Sequence, residues 1–142
     1  GLPMNLDAWD GYPVCRERIH AVFKQFANNP IVLAGDTHNG WAFNMRDAKG
    51  DAIGVEIGTP GITSPGMEAY LPAPPEMMQA SLKASSEELY DLDTSRRGWT
   101  HIEFTPEKTT STWRFVSTIL ESSYSISEST PIVCKAGDKA FS

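Results

Sequence analysis

An aspartate and a histidine separated by one residue form the clearest chemical signal in the sequence. Asp36 and His38 lie in the hexapeptide Gly35–Gly40, directly after the apolar run Ile31–Ala34. A carboxylate oxygen and an imidazole nitrogen suit a divalent or ferric metal ion, and a bend at the two glycines would turn both side chains toward one point. The alternative is that Asp36 caps a turn and His38 is solvated. The pair alone leaves both interpretations open.

The segments around this pair predict a mixed α/β arrangement. Apolar residues recur with helical spacing from Val14 to Ala27, and the uninterrupted run Ile31–Ala34 is typical of a central strand that is covered on both faces. An antiparallel pair of strands is predicted next, followed by a second helix and three further strands, at Trp41–Arg46, Ala52–Ile57, Glu76–Leu89, Thr100–Phe104, Thr112–Ile119 and Pro131–Cys134. This order predicts an α/β or α+β fold with two main helices and a mixed sheet of mostly antiparallel strands.

Composition excludes several classes of protein. The 142 residues fit one domain or part of a larger one. Twelve Lys and Arg against 18 Asp and Glu give a net charge of −6, which argues against nucleic acid as a partner. The sequence contains no run of about 18 apolar residues, so no transmembrane segment is predicted. The first residues also lack the pattern of a signal peptide.

Other reactive or charged side chains give weaker signals. Cys15 and Cys134 lack a metal-binding spacing, and two free, buried thiols are favoured over one long-range disulfide. His20 is predicted to lie on the solvent side of its helix. Arg96 and Arg97 form a candidate anion clamp, although an adjacent pair of this kind is usually split between solvent and a salt bridge.

The order of several short motifs provides a family resemblance. Asn5–Pro13 precedes an Arg-bearing helix, and the apolar strand runs into Gly35-Asp36-Thr37-His38 with Trp41 shortly after. The later motifs are Gly54-Val-Glu56, Thr59-Pro60, Thr63-Ser64-Pro-Gly66, Arg97-Gly98-Trp99, Thr105-Pro-Glu107 and Trp113. Together they closely resemble the C-terminal portion of PhoD-like (alkaline phosphatase D type) metallophosphatases, over most of the chain.

The resemblance implies a fold and a chemistry. The fold would be the C-terminal part of a four-layer α/β/β/α calcineurin-like phosphoesterase sandwich, with residues 1–142 forming a portion of that single domain. Asp36 and His38 match the late metal-binding motif of the family. Iron and calcium, the metals of the family, would activate water or hydroxide for attack on a phosphate ester. The residues implied to hold the loop, orient His38 or line the pocket are Asn39, Trp41, Glu56, Thr59 and Ser64.

One part of the family pattern is missing. Nothing in residues 1–142 resembles the early motifs that supply the other metal ligands. We therefore expect a segment of a longer phosphatase or phosphodiesterase, inactive alone, which presents roughly one sheet and packs against the remainder of the parent domain or a second copy. The alternative is a non-catalytic binding or interaction module that retains the half-fold. Because family members are typically exported, the resemblance also implies a periplasmic or secreted location.

Overall fold

The computed structural model describes residues 6–142, so Asn5 of the first motif lies outside the described residues. The two α-helices are α1 (Pro13–Phe26) and α2 (Pro75–Ser85). The strands are β1 (Ile31–Ala34), β2 (Gly40–Arg46), β3 (Ala52–Gly58), β4 (Leu89–Asp93), β5 (Gly98–Phe104), β6 (Lys108–Val116), β7 (Ile126–Glu128) and β8 (Ile132–Lys135). Short 3-10 turns occur at Trp9–Gly11 and Met67–Ala69.

The strands form two four-stranded sheets. The first has the order β1-β3-β2-β4, with β1 parallel to β3 and the remaining pairs antiparallel. In the second sheet β6 is central, with β5 along one edge and β7 and β8 sharing the other, and every pair is antiparallel. Helix α1 contacts β3, and α2 contacts β4. The predicted class is therefore confirmed, with two main helices and mostly antiparallel strands.

The main core lies between the two sheets. Ile53, Val55 and Ile57 alternate along β3 and are buried, as expected for a strand with one face in the core. A buried apolar cluster combines residues from both sheets and from the segment after β8, namely Ala42, Val55, Ile57, Trp113, Phe115, Ile132, Cys134 and Phe141. Each large apolar side chain buried here stabilises the fold by about 1.5–3 kcal/mol. Packing between the sheets therefore holds the molecule together.

Two expectations about the sheets are wrong. The structure has a second sheet where only one was expected, and this second sheet covers the inner face of the first. In addition, β1 is an edge strand rather than a central one, since within residues 6–142 it pairs with β3 alone. Leu33 in β1 is 57% exposed. An apolar run shows that a strand has two apolar faces, but it does not show which chain segment covers each face.

Several predicted element bounds are also wrong. Helix α2 ends at Ser85, where the Ser85 hydroxyl donates to the Leu82 carbonyl, so the predicted end at Leu89 falls inside β4. Strand β6 begins at Lys108, four residues before the predicted start, because it pairs there with both β5 and β8. Strand β7 is missed because its three residues are all exposed and show no apolar alternation.

Helix α1 is loosely covered. None of its residues is fully buried, and Val22 and Phe26 are 53% and 74% exposed. The Lys24 ammonium ties the helix to the β2–β3 hairpin by donating to Asp47 Oδ2 at 2.5 Å and Asp51 Oδ2 at 2.7 Å. His20 is partly buried, which contradicts its predicted solvent position, and its desolvation lowers the pKa of the imidazole.

No helix in the described residues 6–142 is long and apolar enough to cross a membrane. Both cysteines are free, so the long-range disulfide is excluded in this structure. Cys134 is buried as predicted, whereas Cys15 is exposed.

Trp113 of the second sheet connects both sheets beside the predicted site. Its indole nitrogen donates to the Gly58 carbonyl at 3.1 Å. The ring lies so close to Gly40 that a Cβ on this glycine would come within 2.9 Å of an indole carbon. Gly40 is therefore required by the packing of Trp113.

We predict that Gly40→Ala destabilises the fold by about 1–3 kcal/mol, because the methyl group would push Trp113 out of its packed position. Gly35→Ala is the matched control, since a Cβ there would meet only a Thr59 methyl group at an ordinary 3.7 Å. Urea unfolding followed by tryptophan fluorescence would compare the two variants. Equal free energies of unfolding for both variants would contradict the prediction.

Candidate functional site

The loop that carries Asp36 and His38 bends at these two residues themselves. Asp36 has φ of 69° and His38 has φ of 59°, both in the left-handed region. Gly35 and Gly40, where the bends were expected, do not have a positive φ. Asp, Asn and His tolerate this region better than most side chains. The Thr37 amide donates to the Gly35 carbonyl at 2.8 Å, which closes the turn. The loop is therefore a tight bend with two potential ligands built into it.

The imidazole of His38 is oriented by a backbone carbonyl. Its Nδ1 lies 3.0 Å from the Pro65 carbonyl oxygen. A carbonyl oxygen only accepts, so Nδ1 must carry the proton in this contact. In the neutral imidazole this tautomer leaves Nε2 with a free lone pair. Metal-binding histidines commonly have this arrangement, in which one nitrogen donates to a carbonyl and the other holds the metal.

A second loop, residues 59–66, packs directly against the first. The Gly61 amide donates to the His38 carbonyl at 3.1 Å, and the Thr59 amide donates to the Ala34 carbonyl at 3.0 Å. The Thr59 hydroxyl accepts from the Thr100 amide at 3.2 Å, which also attaches this loop to β5. The structure therefore brings Thr59 beside the start of the loop that carries Asp36 and His38.

Three other predicted residues also lie at this junction. Asn39 is completely buried, and its Oδ1 accepts from the Met67 amide at 3.2 Å. The Trp41 indole donates to the Thr37 hydroxyl at 2.9 Å, so Trp41 holds the middle residue of the bend by a hydrogen bond. Ser64 is partly buried in the second loop. Asn39 and Trp41 therefore hold the chain on either side of His38 in sequence, while Ser64 lies in the loop that packs against it.

Glu56 is not brought to this junction. It lies in the middle of β3, opposite Val32 and Phe43, and makes no hydrogen bond with His38 among the described residues. Burial raises the pKa of the Glu56 carboxyl, and the nearby charge of Glu88 raises it further. A role for Glu56 in orienting His38 remains a prediction. No hydrogen bond between the two side chains in the described residues supports it.

Sequence reasoning missed the groups that hold the second loop. Arg97 is paired with Glu68, while Arg96 is paired with Asp93 at 2.6 Å and stacks on the Phe115 ring at 3.7 Å. The two arginines are thus divided between two ion pairs, which favours the salt-bridge interpretation over an anion clamp.

The Pro65 carbonyl was missed because the sequence gives no signal for a backbone atom that acts as a hydrogen-bond acceptor.

The donor set fits part of a metal site. Asp36 offers carboxylate oxygens in an exposed position, and His38 offers Nε2. Within residues 6–142, no group of three or more His, Cys, Asp or Glu side chains is arranged to hold a metal ion. The chemistry of the two donors is therefore suitable, but their number is too small for a closed site.

Comparison with known proteins identifies a related family. Residues 1–113 match the family of PhoD-like phosphatases. Alkaline phosphatase D of Bacillus subtilis (strain 168) is 39% identical over 67 residues, which cover 44% of this chain and 12% of the relative. A solved structure of PhoD matches with a TM-score of 0.75 at 21% identity, covering 96% of this chain and 26% of that chain. The chain thus spans a small part of the length of these relatives.

We predict that Glu56→Gln stabilises the protein at neutral pH. The folded-state pKa of Glu56 lies above its ordinary value of 4.5, so the wild type loses stability as the pH rises from 4.5 through the folded-state pKa. The Gln variant lacks this loss. Thermal melts at about pH 4 and pH 7.5 should show a gain in the melting temperature only at the higher pH.

The exposed Glu103 provides the control, since Glu103→Gln should leave the melting temperature almost unchanged at both pH values. A loss of stability in Glu56→Gln at pH 7.5 would show that the charged carboxylate has a favourable partner and would contradict the prediction.

Proposed function

The chain belongs to the PhoD-like phosphatase family, and from this premise we propose that it supplies Asp36 and His38 to the metal site of a phosphate-ester hydrolase. The observation that carries the proposal is the contact between His38 Nδ1 and the Pro65 carbonyl, which leaves Nε2 free. The Asp36 carboxylate lies in the same bend, two residues before His38. An acid and an imidazole in one rigid turn are suited to ligate a metal rather than merely to shape a loop.

Iron and calcium are the proposed metals. An imidazole nitrogen suits iron, whereas calcium prefers oxygen, so His38 fits the first metal and the Asp36 carboxylate fits either. Bound metal would supply a water or hydroxide of lowered pKa and would neutralise phosphate oxygens. Within this chain, Asp36 and His38 hold their share of the site, while Pro65 and Asn39 fix the two loops.

The chain alone is proposed to be inactive. Two ligands cannot hold a catalytic pair of metals, and no third ligand joins them within residues 6–142. The matched relatives are several times longer than the segment they share with this chain. We therefore assign the other ligands to the remainder of the same domain, of which residues 1–142 would be the C-terminal portion. Both phosphomonoesters and phosphodiesters remain candidate substrates, and a periplasmic or secreted location is proposed from the family resemblance.

A weak, local metal site is expected in the isolated chain. Titration with Mn²⁺ should broaden the amide NMR signals of residues 36–38 before those of the exposed His101, because a paramagnetic ion relaxes the nuclei nearest to it. Asp36→Asn and His38→Asn should each weaken this effect by about tenfold or more, as loss of one of two ligands removes most of the affinity. Asparagine is chosen because it tolerates the left-handed backbone.

A chromogenic monoester and a diester should show no turnover above background with Fe³⁺, Ca²⁺ or both. Turnover by the purified chain would contradict the proposed inactivity and would require ligands from elsewhere in the chain. Broadening at His101 alone, with none at residues 36–38, would favour the non-catalytic binding module.

The remainder of the domain is also the proposed partner of the exposed side of α1. Three apolar residues of this helix, Val14, Val22 and Phe26, are exposed. The chain exposes 8827 Å² of surface, compared with about 7,200 Å² expected for a monomer of 15.6 kDa. Together with the 26% coverage of the PhoD structure, this excess supports the proposal that further protein covers part of the chain.

Hydrogen exchange would test what covers the exposed side of α1. Because α1 has no buried residue, its amides in the isolated chain should exchange on the order of tenfold or more faster than those of β3. The rate should not change with protein concentration. Protection of α1 that increases with concentration, together with a doubled mass in light scattering, would instead identify a second copy as the partner.

A further inference from the structure

We infer that Arg97 is a positioning residue that acts through Glu68 to fix the Pro65 carbonyl and thereby the tautomer of His38. The inference rests on the proposed function, because the tautomer matters for a histidine that binds metal through Nε2. Arg97 touches neither substrate nor metal in this assignment. Its effect passes through three successive contacts.

The first contact anchors Glu68 to the second sheet. The Arg97 side chain is only 13% exposed, and its Nη2 donates to Glu68 Oε1. Arg97 Nη1 also donates to the Ser95 carbonyl at 2.9 Å. The Arg97 carbonyl in turn accepts from the Val116 amide at 2.9 Å. The guanidinium is therefore fixed at both ends, and it holds the Glu68 carboxylate in one place.

The second and third contacts share one peptide plane. The Gly66 amide donates to Glu68 Oε1 at 3.4 Å, and the Pro65 carbonyl accepts from His38 Nδ1 at 3.0 Å. The Pro65 carbonyl and the Gly66 amide belong to the same peptide unit, which is planar. Rotation of this unit would break both hydrogen bonds together. The orientation of the Glu68 carboxylate is thus transmitted directly to the acceptor of His38.

Gly66 leaves the space that this arrangement needs. A Cβ on Gly66 would lie 2.3 Å from Asn39 Nδ2 and 2.8 Å from Glu68 Oε2, so any other residue would displace one of these side chains. Asn39 Nδ2, Glu68 Oε2 and Arg97 Nε are all buried without a partner in the part of the chain described. Buried polar groups with unused hydrogen-bonding capacity oppose folding. An apolar cluster would serve stability better, which supports a positioning role for the polar one.

The experiment measures the tautomer of His38 by long-range ¹H–¹⁵N NMR in the ¹⁵N-labelled chain. The protein has three histidines, and the His38→Asn variant identifies the signals of His38. At about pH 8.5, where an ordinary imidazole is neutral, the wild type should populate mainly the Nδ1–H form. Arg97→Met and Glu68→Gln should each shift the tautomer ratio toward Nε2–H by about 2- to 10-fold, the effect of one net hydrogen bond.

Three further variants keep the test decisive. Arg97→Lys keeps a charged donor for Glu68 but loses the planar fork, so it should shift the ratio less than Arg97→Met does. Arg114→Met removes a partly exposed arginine that is paired with Glu128 at 2.8 Å, and it should leave His38 unchanged. If Arg97→Met does not fold, the double variant Arg97→Met/Glu68→Gln removes both charges and avoids a buried unpaired carboxylate. The double variant should show the same shift toward Nε2–H.

An unchanged ratio in folded Arg97→Met, or in the double variant, would overturn the inference and leave the proposed function intact. A wild-type His38 in the Nε2–H form would overturn the inference at an earlier step, because the contact with Pro65 would then not exist in solution. The Mn²⁺ titration tests the metal-binding role of Asp36 and His38 separately. The two failures can therefore be distinguished.

Discussion

The indole of Trp113 sets the distance between the two sheets at the edge where the candidate site is built. Its N–H reaches the Gly58 carbonyl, and its ring lies against Gly40. The first loop ends at Gly40 and the second begins just after Gly58. One side chain of the second sheet thus fixes the ends of both loops. Because this buried donor would cost about 1–3 kcal/mol if left unpaired, the contact also has a stabilising role.

The loops meet mainly through backbone atoms. The His38 carbonyl accepts from the Gly61 amide, and the His38 imidazole donates to the Pro65 carbonyl. Such contacts depend on the path of the chain rather than on the identity of most side chains. The glycines are the exception, since Gly61 lies close to His38 Cβ and Gly66 close to Asn39. This dependence explains why a loop with few reactive side chains belongs to the candidate site.

The sequence predicted the parts of the structure that depend on local patterns. Helical spacing located α1, a glycine-containing loop joined β2 and β3, and the polar residues after an apolar run identified Asp36 and His38. The sequence did not predict what depends on pairing or on distant neighbours. The edge position of β1, the short exposed β7 and the burial of Glu56 are all determined by which segment lies alongside. The same reason hid the contact between Arg97 and Glu68.

The left-handed backbone at Asp36 and His38 restricts which side chains the bend can carry as potential metal ligands. A left-handed conformation costs roughly 1–2 kcal/mol for an ordinary L-residue, and Asn and Asp are among the residues that adopt it most easily. Cysteine or glutamate at these two positions would offer suitable ligand atoms but would strain the chain. Position 37 lacks a positive φ, so its backbone accepts more residue types, but its hydroxyl accepts from the Trp41 indole. A combinatorial library of this bend should therefore keep serine or threonine at position 37 and restrict positions 36 and 38 to residues compatible with the turn.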